Sequence, residues 1–113
     1  MSDDVGPIFA ALADPTRRLV LETLLRDGST TVPALTARLP ISRQAVAKHV
    51  ATLDHAGLIE RSPGGGREVR YQLREGALDG AAAWLRDAEA AWDARLSRLK
   101  REIEGSRPQP RRR

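Results

Sequence analysis

Cysteine is missing from this chain. Disulfides, thiolate metal sites and thiol redox sensing are excluded with it. Aromatic residues are scarce, with one Phe, one Tyr and two Trp in 113 residues. The core must be built from Leu, Val, Ile and Ala, and a core of that size is thin. Association through a long apolar helix would relieve the shortage. No stretch approaches the ~18 apolar residues of a membrane span. The opening MSDDVG is acidic, with no apolar run behind it, unlike a signal peptide. The expectation is a cytoplasmic chain with no membrane partner. Histidine occurs only at positions 49 and 55. On one helix these do not share a face as an i, i+4 ligand pair would. No metal site and no cofactor are expected.

The length suits one domain. The formal net charge is +4, but Arg107, Arg111, Arg112 and Arg113 supply all of it. The remainder is neutral, so the high isoelectric point belongs to the tail. Within residues 42–74, Arg43, Lys48, Arg61, Arg67, Arg70 and Arg74 face only Asp54, Glu60 and Glu68. That local excess points to a polyanion more than the total does.

Along the chain, residues 5–13 make a short apolar helix around Ile8, Phe9 and Leu12. Asp14 and Pro15 restart the helix, one as cap and the other in the first turn. Leu19, Val20, Leu24 and Leu25 give it a helical period until Asp27-Gly28 stops it. Thr31 caps a helix of about two turns, with Pro33 in its first turn and Ala34, Leu35 and Leu39 facing inward. Pro40 ends it. Ser42 caps another helix that runs to Gly57. Two helices joined so closely form a helix-turn-helix. Leu58 to Arg61 reads as a strand, and Pro63-Gly64-Gly65-Gly66 as a turn. Val69, Tyr71 and Leu73 alternate with Glu68, Arg70 and Gln72 in a half-buried second strand. These make a β-hairpin wing. From about residue 78 to 104 the pattern is helical again. Residues 105–113 form a Pro/Arg-rich tail expected to be disordered. The fold class is therefore mainly α with a small β-hairpin: a winged helix-turn-helix with a long C-terminal helix, in one domain over 1–104.

At about 100° per residue, Val46, His49, Val50 and Leu53 fall on one side of the fourth helix. Arg43, Gln44, Ala47, Lys48 and Ala51 fall on the other. That second face suits a DNA major groove. Arg reads guanine O6 and N7, and Gln reads adenine N6 and N7. Both stand in the first turn, which usually meets base edges. Ala47 lets the helix sit deep, and Lys48 is placed for a base or a phosphate. Ser42 can bond a phosphate besides capping. Arg61, Arg67 and Arg70 on the wing are candidates for phosphate or minor-groove contact, and Gly64 to Gly66 permit close approach. His49 on the inner side is expected to pack. His55 is expected to be exposed, within reach of a nucleic-acid backbone.

Leu78, Leu85, Trp92 and Leu99 recur every seven residues, with Ala81, Ala88, Leu96 and Ile103 between them. A short core cannot cover so long a seam, so a second subunit is expected to. A pair of reading helices would also match a twofold site. The expected interface is Ile8, Phe9 and Leu12 with Leu78, Leu85, Trp92, Leu96 and Leu99. The alternative use of the seam is to bind a heterologous helix, with little DNA affinity. No nucleophile–base pairing, no Gly-rich loop followed by Lys and no metal triad occurs, so no catalytic residue is expected.

The segments FAALADPTRRLVLETL and SRQAVAKHVATLDHAGLIERSPGGGREVRYQL resemble the ArsR-type family of bacterial winged helix-turn-helix repressors over residues 8–74. WLRDAEAAWDARLSRL resembles a metal-independent branch. The resemblance implies a homodimer on a pseudopalindromic operator, usually repressing, often its own operon. It assigns Ser42, Arg43, Gln44, Ala47 and Lys48 to DNA contact, Arg67 and Arg70 to the wing, and the first and last helices to the dimer interface. Founding members sense metals through thiolates near the helix-turn-helix, or through His and carboxylates on the last helix. Here ALTARLP has no thiol and the last helix no His. The inducing signal is left blank.

Overall fold

The computed structural model describes residues 5–63 and 66–106. Its elements run α1 (Gly6–Leu12), α2 (Pro15–Asp27), β1 (Ser29–Thr31), α3 (Val32–Arg38), α4 (Arg43–His55), β2 (Ile59–Arg61), β3 (Arg70–Leu73) and α5 (Asp79–Ser106). This is the mainly helical winged architecture that the sequence leads one to expect.

Three helices start by the same device. The side chains of Asp14, Thr31 and Ser42 each accept a bond from the backbone N–H three residues on, at 3.0, 3.1 and 3.1 Å. Each such cap satisfies a donor the helix cannot use, and is worth about 0.5–2 kcal/mol. Gly28 ends α2 at φ 86°, and Gly57 follows α4 at φ 81°. At the latter the Gly57 N–H bonds Asp54 O and the Leu58 N–H bonds Leu53 O, both at 3.0 Å. This pair is a Schellman closure. Its flanking apolar residues, Leu53 and Leu58, lie in the core.

That core also holds Ala11, Val20, Leu24, Leu35, Val46 and Val50. The inward stripe of α2 differs from the expected one. Val20, Leu21 and Leu24 are buried, while Leu19 and Leu25 are exposed, Leu25 at 69%. From Leu19 to Leu25 five of seven positions are apolar, so the neighbours of this helix decide which stripe turns inward. On α3, Leu35 is buried but Ala34 is exposed, and Leu39, the residue after the helix, is half-buried. A methyl group has little area to drive burial.

The wing is more than a hairpin. β3 pairs antiparallel with β2 on one edge and β1 on the other, in the order β1-β3-β2. Thr30 stands opposite Tyr71, and Arg61 opposite Tyr71 from the far side. Thr30 and Thr31 are buried. Three residues are too few to show a strand's alternation, so β1 is set by its partner. The second wing strand begins at Arg70, two residues later than the expected Glu68, and Val69 is exposed. The tip glycines Gly64 and Gly65 lie outside the described residues.

The chain divides into two compact units, Met1–Ala81 and Ala82–Arg113. In the second, α5 presents Leu85, Trp92, Leu96 and Leu99 exposed, Trp92 at 59%. Gly105 and Ser106, expected in a disordered tail, belong to this helix. The rest of that tail lies outside the described residues. Among the described residues, no helix is long and apolar enough to cross a membrane.

Leu53 is fully buried and joins the core to the end of α4. Leu53→Ala is expected to lower stability by about 2–5 kcal/mol, measured by urea unfolding followed by far-UV circular dichroism.

Candidate nucleic-acid interface

The two faces of α4 separate as their spacing predicts. Val46, Val50 and Leu53 are buried, and Ser42, Arg43, Gln44, Ala47, Lys48 and Ala51 are exposed. Burial of the first set against α2 and α3 fixes the direction of the second. Lys48 O accepts the Thr52 hydroxyl at 3.1 Å, within the helix.

Arg43 lies across a cleft from the wing. The cleft, of about 390 Å³, is lined by Arg43, Val32 and Pro33 together with Arg67, Glu68 and Tyr71. The first turn of the helix and the wing are thereby brought to one place. Arg61 and Arg67 are exposed. Arg70 stands differently. Its Nε and Nη2 donate to Ser29 Oγ at 3.1 and 3.0 Å, and its Nη1 donates to Glu68 Oε1 at 3.4 Å. It is half-buried; two of its nitrogens serve Ser29 of β1, and the third serves Glu68 just before β3. Sequence spacing places Arg70 on the wing but does not show the hydroxyl 41 positions upstream that holds it.

His49 lies on the margin between the faces, half-buried. Its Nδ1 is 3.3 Å from Arg17 Nη1 and 3.9 Å from Asp14 Oδ2. Because a guanidinium has no acceptor, Nδ1 accepts in the contact with Arg17. The same Arg17 donates from Nε to Ala11 O at 2.8 Å and from Nη2 to Ala10 O at 3.2 Å. Arg18 Nη1 takes Leu12 O at 2.6 Å. Two adjacent arginines thus satisfy the carbonyl end of α1, and one carries the connection to α4. Sequence reasoning assigned them no role, although both stand in the run DPTRR. The Arg17 backbone N–H holds the Asp14 carboxyl below its ordinary range, and the nearby His49 ring and Arg17 charge act in the same direction. Partial burial opposes them. His55 is exposed near the end of the helix.

A helix-turn-helix domain family matches residues 12–62. The HTH-type transcriptional regulator Rv2034 of Mycobacterium tuberculosis is 40% identical over 89 residues, covering 79% of this chain and 78% of the relative. Among solved structures, an ArsR-like transcriptional regulator from Rhodococcus sp. RHA1 superposes with a TM-score of 0.80 at 39% identity, over 91% of this chain and 93% of that one. The chain belongs to the ArsR-type winged helix-turn-helix family.

Membership makes it a DNA-binding transcriptional regulator and not an enzyme. The transcriptional repressor SdpR of Bacillus subtilis is a further relative, 30% identical over 69% of this chain and 84% of its own length. Within the ArsR-type family this chain lacks cysteine altogether. Among the described residues, no group of three or more His, Asp or Glu is arranged to hold a metal.

The Asp14 cap gives an acid-side prediction. Its depressed carboxyl contributes stability in full above the ordinary Asp value of about 3.9. Below that pH the unfolded chain takes up the proton first, and the contribution is lost as pH falls through the folded value. Asp14→Asn keeps a capping side chain but removes the titration. Urea unfolding across acid pH should show a shallower decline for Asp14→Asn than for the wild type. Parallel declines would assign the acid sensitivity to other carboxylates.

Proposed function

We propose that this regulator is a homodimeric, sequence-specific repressor of its own or a neighbouring operon. Residues Ser42, Arg43, Gln44, Ala47 and Lys48 of α4 enter the major groove of a pseudopalindromic operator. Arg61, Arg67 and Arg70 on the wing meet the backbone or the adjacent minor groove. The observation that carries this reading is the exposed Arg43–Gln44–Lys48 face, with Arg67 across one cleft from Arg43. A bidentate Arg or Gln discriminates its base by about 1–3 kcal/mol, whereas phosphate contacts add affinity without preference.

Of the wing residues, Arg61 and Arg67 are the more available, because Arg70 is held by Ser29 and Glu68. Arg70 would then serve DNA by stiffening the wing as well as by its charge. Dimerisation is supported by the apolar seam of α5, where Leu85, Trp92, Leu96 and Leu99 are exposed, and by exposed Leu78 in the turn just before it. In this reading Ile8, Phe9 and Leu12 of α1 complete the interface. Each copy presents one reading helix, and a twofold pair matches an inverted repeat with half-sites about one helical turn apart. Repression is supported by the relative that bears that name, SdpR.

The test is selection of bound duplexes from a random pool, followed by search of the chain's own promoter region for the winning site. An inverted repeat is expected, bound with steep salt dependence. Arg43→Ala should cost about 1–3 kcal/mol and relax preference at the position it reads. Arg67→Ala should weaken all sequences alike. Equal affinity for the promoter region and random duplex at moderate salt would sink the proposal. In sedimentation, Trp92→Asp should shift the chain from dimer to monomer, and an unchanged dimer would move the interface off the seam.

A further inference from the structure

Beside the reading face, α1 and α4 enclose a second groove of about 420 Å³. Ala10 and Ala11 form one wall, Lys48, Ala51 and His55 the other, with Arg17 alongside. Lys48 and His55 offer nitrogen donors, Arg17 brings a charge whose three nitrogens already serve Ala11 O, His49 and Ala10 O, and no carboxylate lines the space. Asp14 offsets part of the Arg17 charge from outside the groove.

Two helix ends lie here, and a bare carbonyl end would repel an anion. Neither is bare. Arg17 occupies Ala10 O and Ala11 O at the end of α1. The N–H groups of Gly57 and Leu58 occupy Asp54 O and Leu53 O at the end of α4. The groove is therefore electrostatically open to negative charge.

It is also continuous with the reading face, since Lys48 and Ala51 belong to both. From Arg43 to His55 the helix advances about 18 Å at 1.5 Å per residue. The major groove of B-DNA is about 12 Å wide. A helix with its first turn on base edges therefore extends past the groove's rim, where the phosphates lie. We infer that the α1–α4 groove seats the sugar-phosphate backbone flanking each half-site. Lys48 and His55 donate to phosphate oxygens, and Arg17 adds fixed positive charge. This rests on the major-groove reading proposed above. It extends the footprint beyond the bases read and adds affinity without sequence preference.

Ala10 provides the test. It is exposed, and at about 100° per residue it lies across α1 from Ile8, Phe9 and Leu12. A charge placed there enters the groove and leaves the proposed dimer face alone. Fluorescence anisotropy would measure Ala10→Lys and Ala10→Glu against the selected operator with flanks and against random duplex of equal length, through a salt series. Ala10→Lys should tighten both complexes on the order of three- to tenfold, and Ala10→Glu should loosen both by a similar factor. The slope of log K against log salt should steepen by about 1.8 for the Lys variant bound as a dimer, about 0.9 from each subunit. Trimming the flanks to the half-site edge should erase these differences. Opposite signs exclude a folding defect, which would weaken both variants. Binding within twofold of wild type for both, or a shift in the same direction for both, overturns the groove as a backbone seat. A wild-type chain without operator preference overturns the major-groove reading instead, and the variants' behaviour on random duplex still decides the groove.

Discussion

One-sided burial of α4 is the constraint on which the rest depends. Val46, Val50 and Leu53 are the only large apolar residues on a helix otherwise polar or small. Removing them from water is worth about 1.5–3 kcal/mol each, and only one rotation of the helix achieves it. That rotation turns Arg43, Gln44, Ala47 and Lys48 outward. The direction of the polar face is a by-product of the core, and no separate interaction is needed to aim it.

The margins of the helix are settled by polar contacts instead. On one side, Arg17 spans from the carbonyls of Ala10 and Ala11 to the ring of His49. On the other, Arg43 faces the wing across a cleft. A chain with few aromatics cannot wedge its helices with large rings. Here a guanidinium does that work, since its donors can serve two backbone carbonyls and a ring nitrogen at once.

Much of this was legible in the sequence because it is local. Asp14, Thr31 and Ser42 announce helix starts, Gly28 and Gly57 announce ends, and the period of α4 separates its faces. What was not legible depends on partners distant in the chain. β1 is three residues long and exists because β3 lies beside it. Leu21 is buried in place of Leu19 and Leu25 because of what surrounds α2. The hold of Ser29 on Arg70 spans 41 positions, and that of Arg17 on His49 spans 32. Of the proposed interface residues, those on α4 follow from periodicity. The wing residues could be named, but their unequal availability required the fold.

Leu58 occupies a single position between the reading helix and the wing. Its N–H is bonded to Leu53 O within the end of α4, and its O accepts the Arg74 N–H that follows β3. The helix, the outgoing strand and the returning strand are thus hinged on one buried residue with no slack. Helix and wing stand like the two jaws of a caliper set at one opening. In the proposed complex, a duplex that departs from that setting would itself have to bend or widen to be gripped, and groove shape would then contribute to recognition at base pairs no side chain touches.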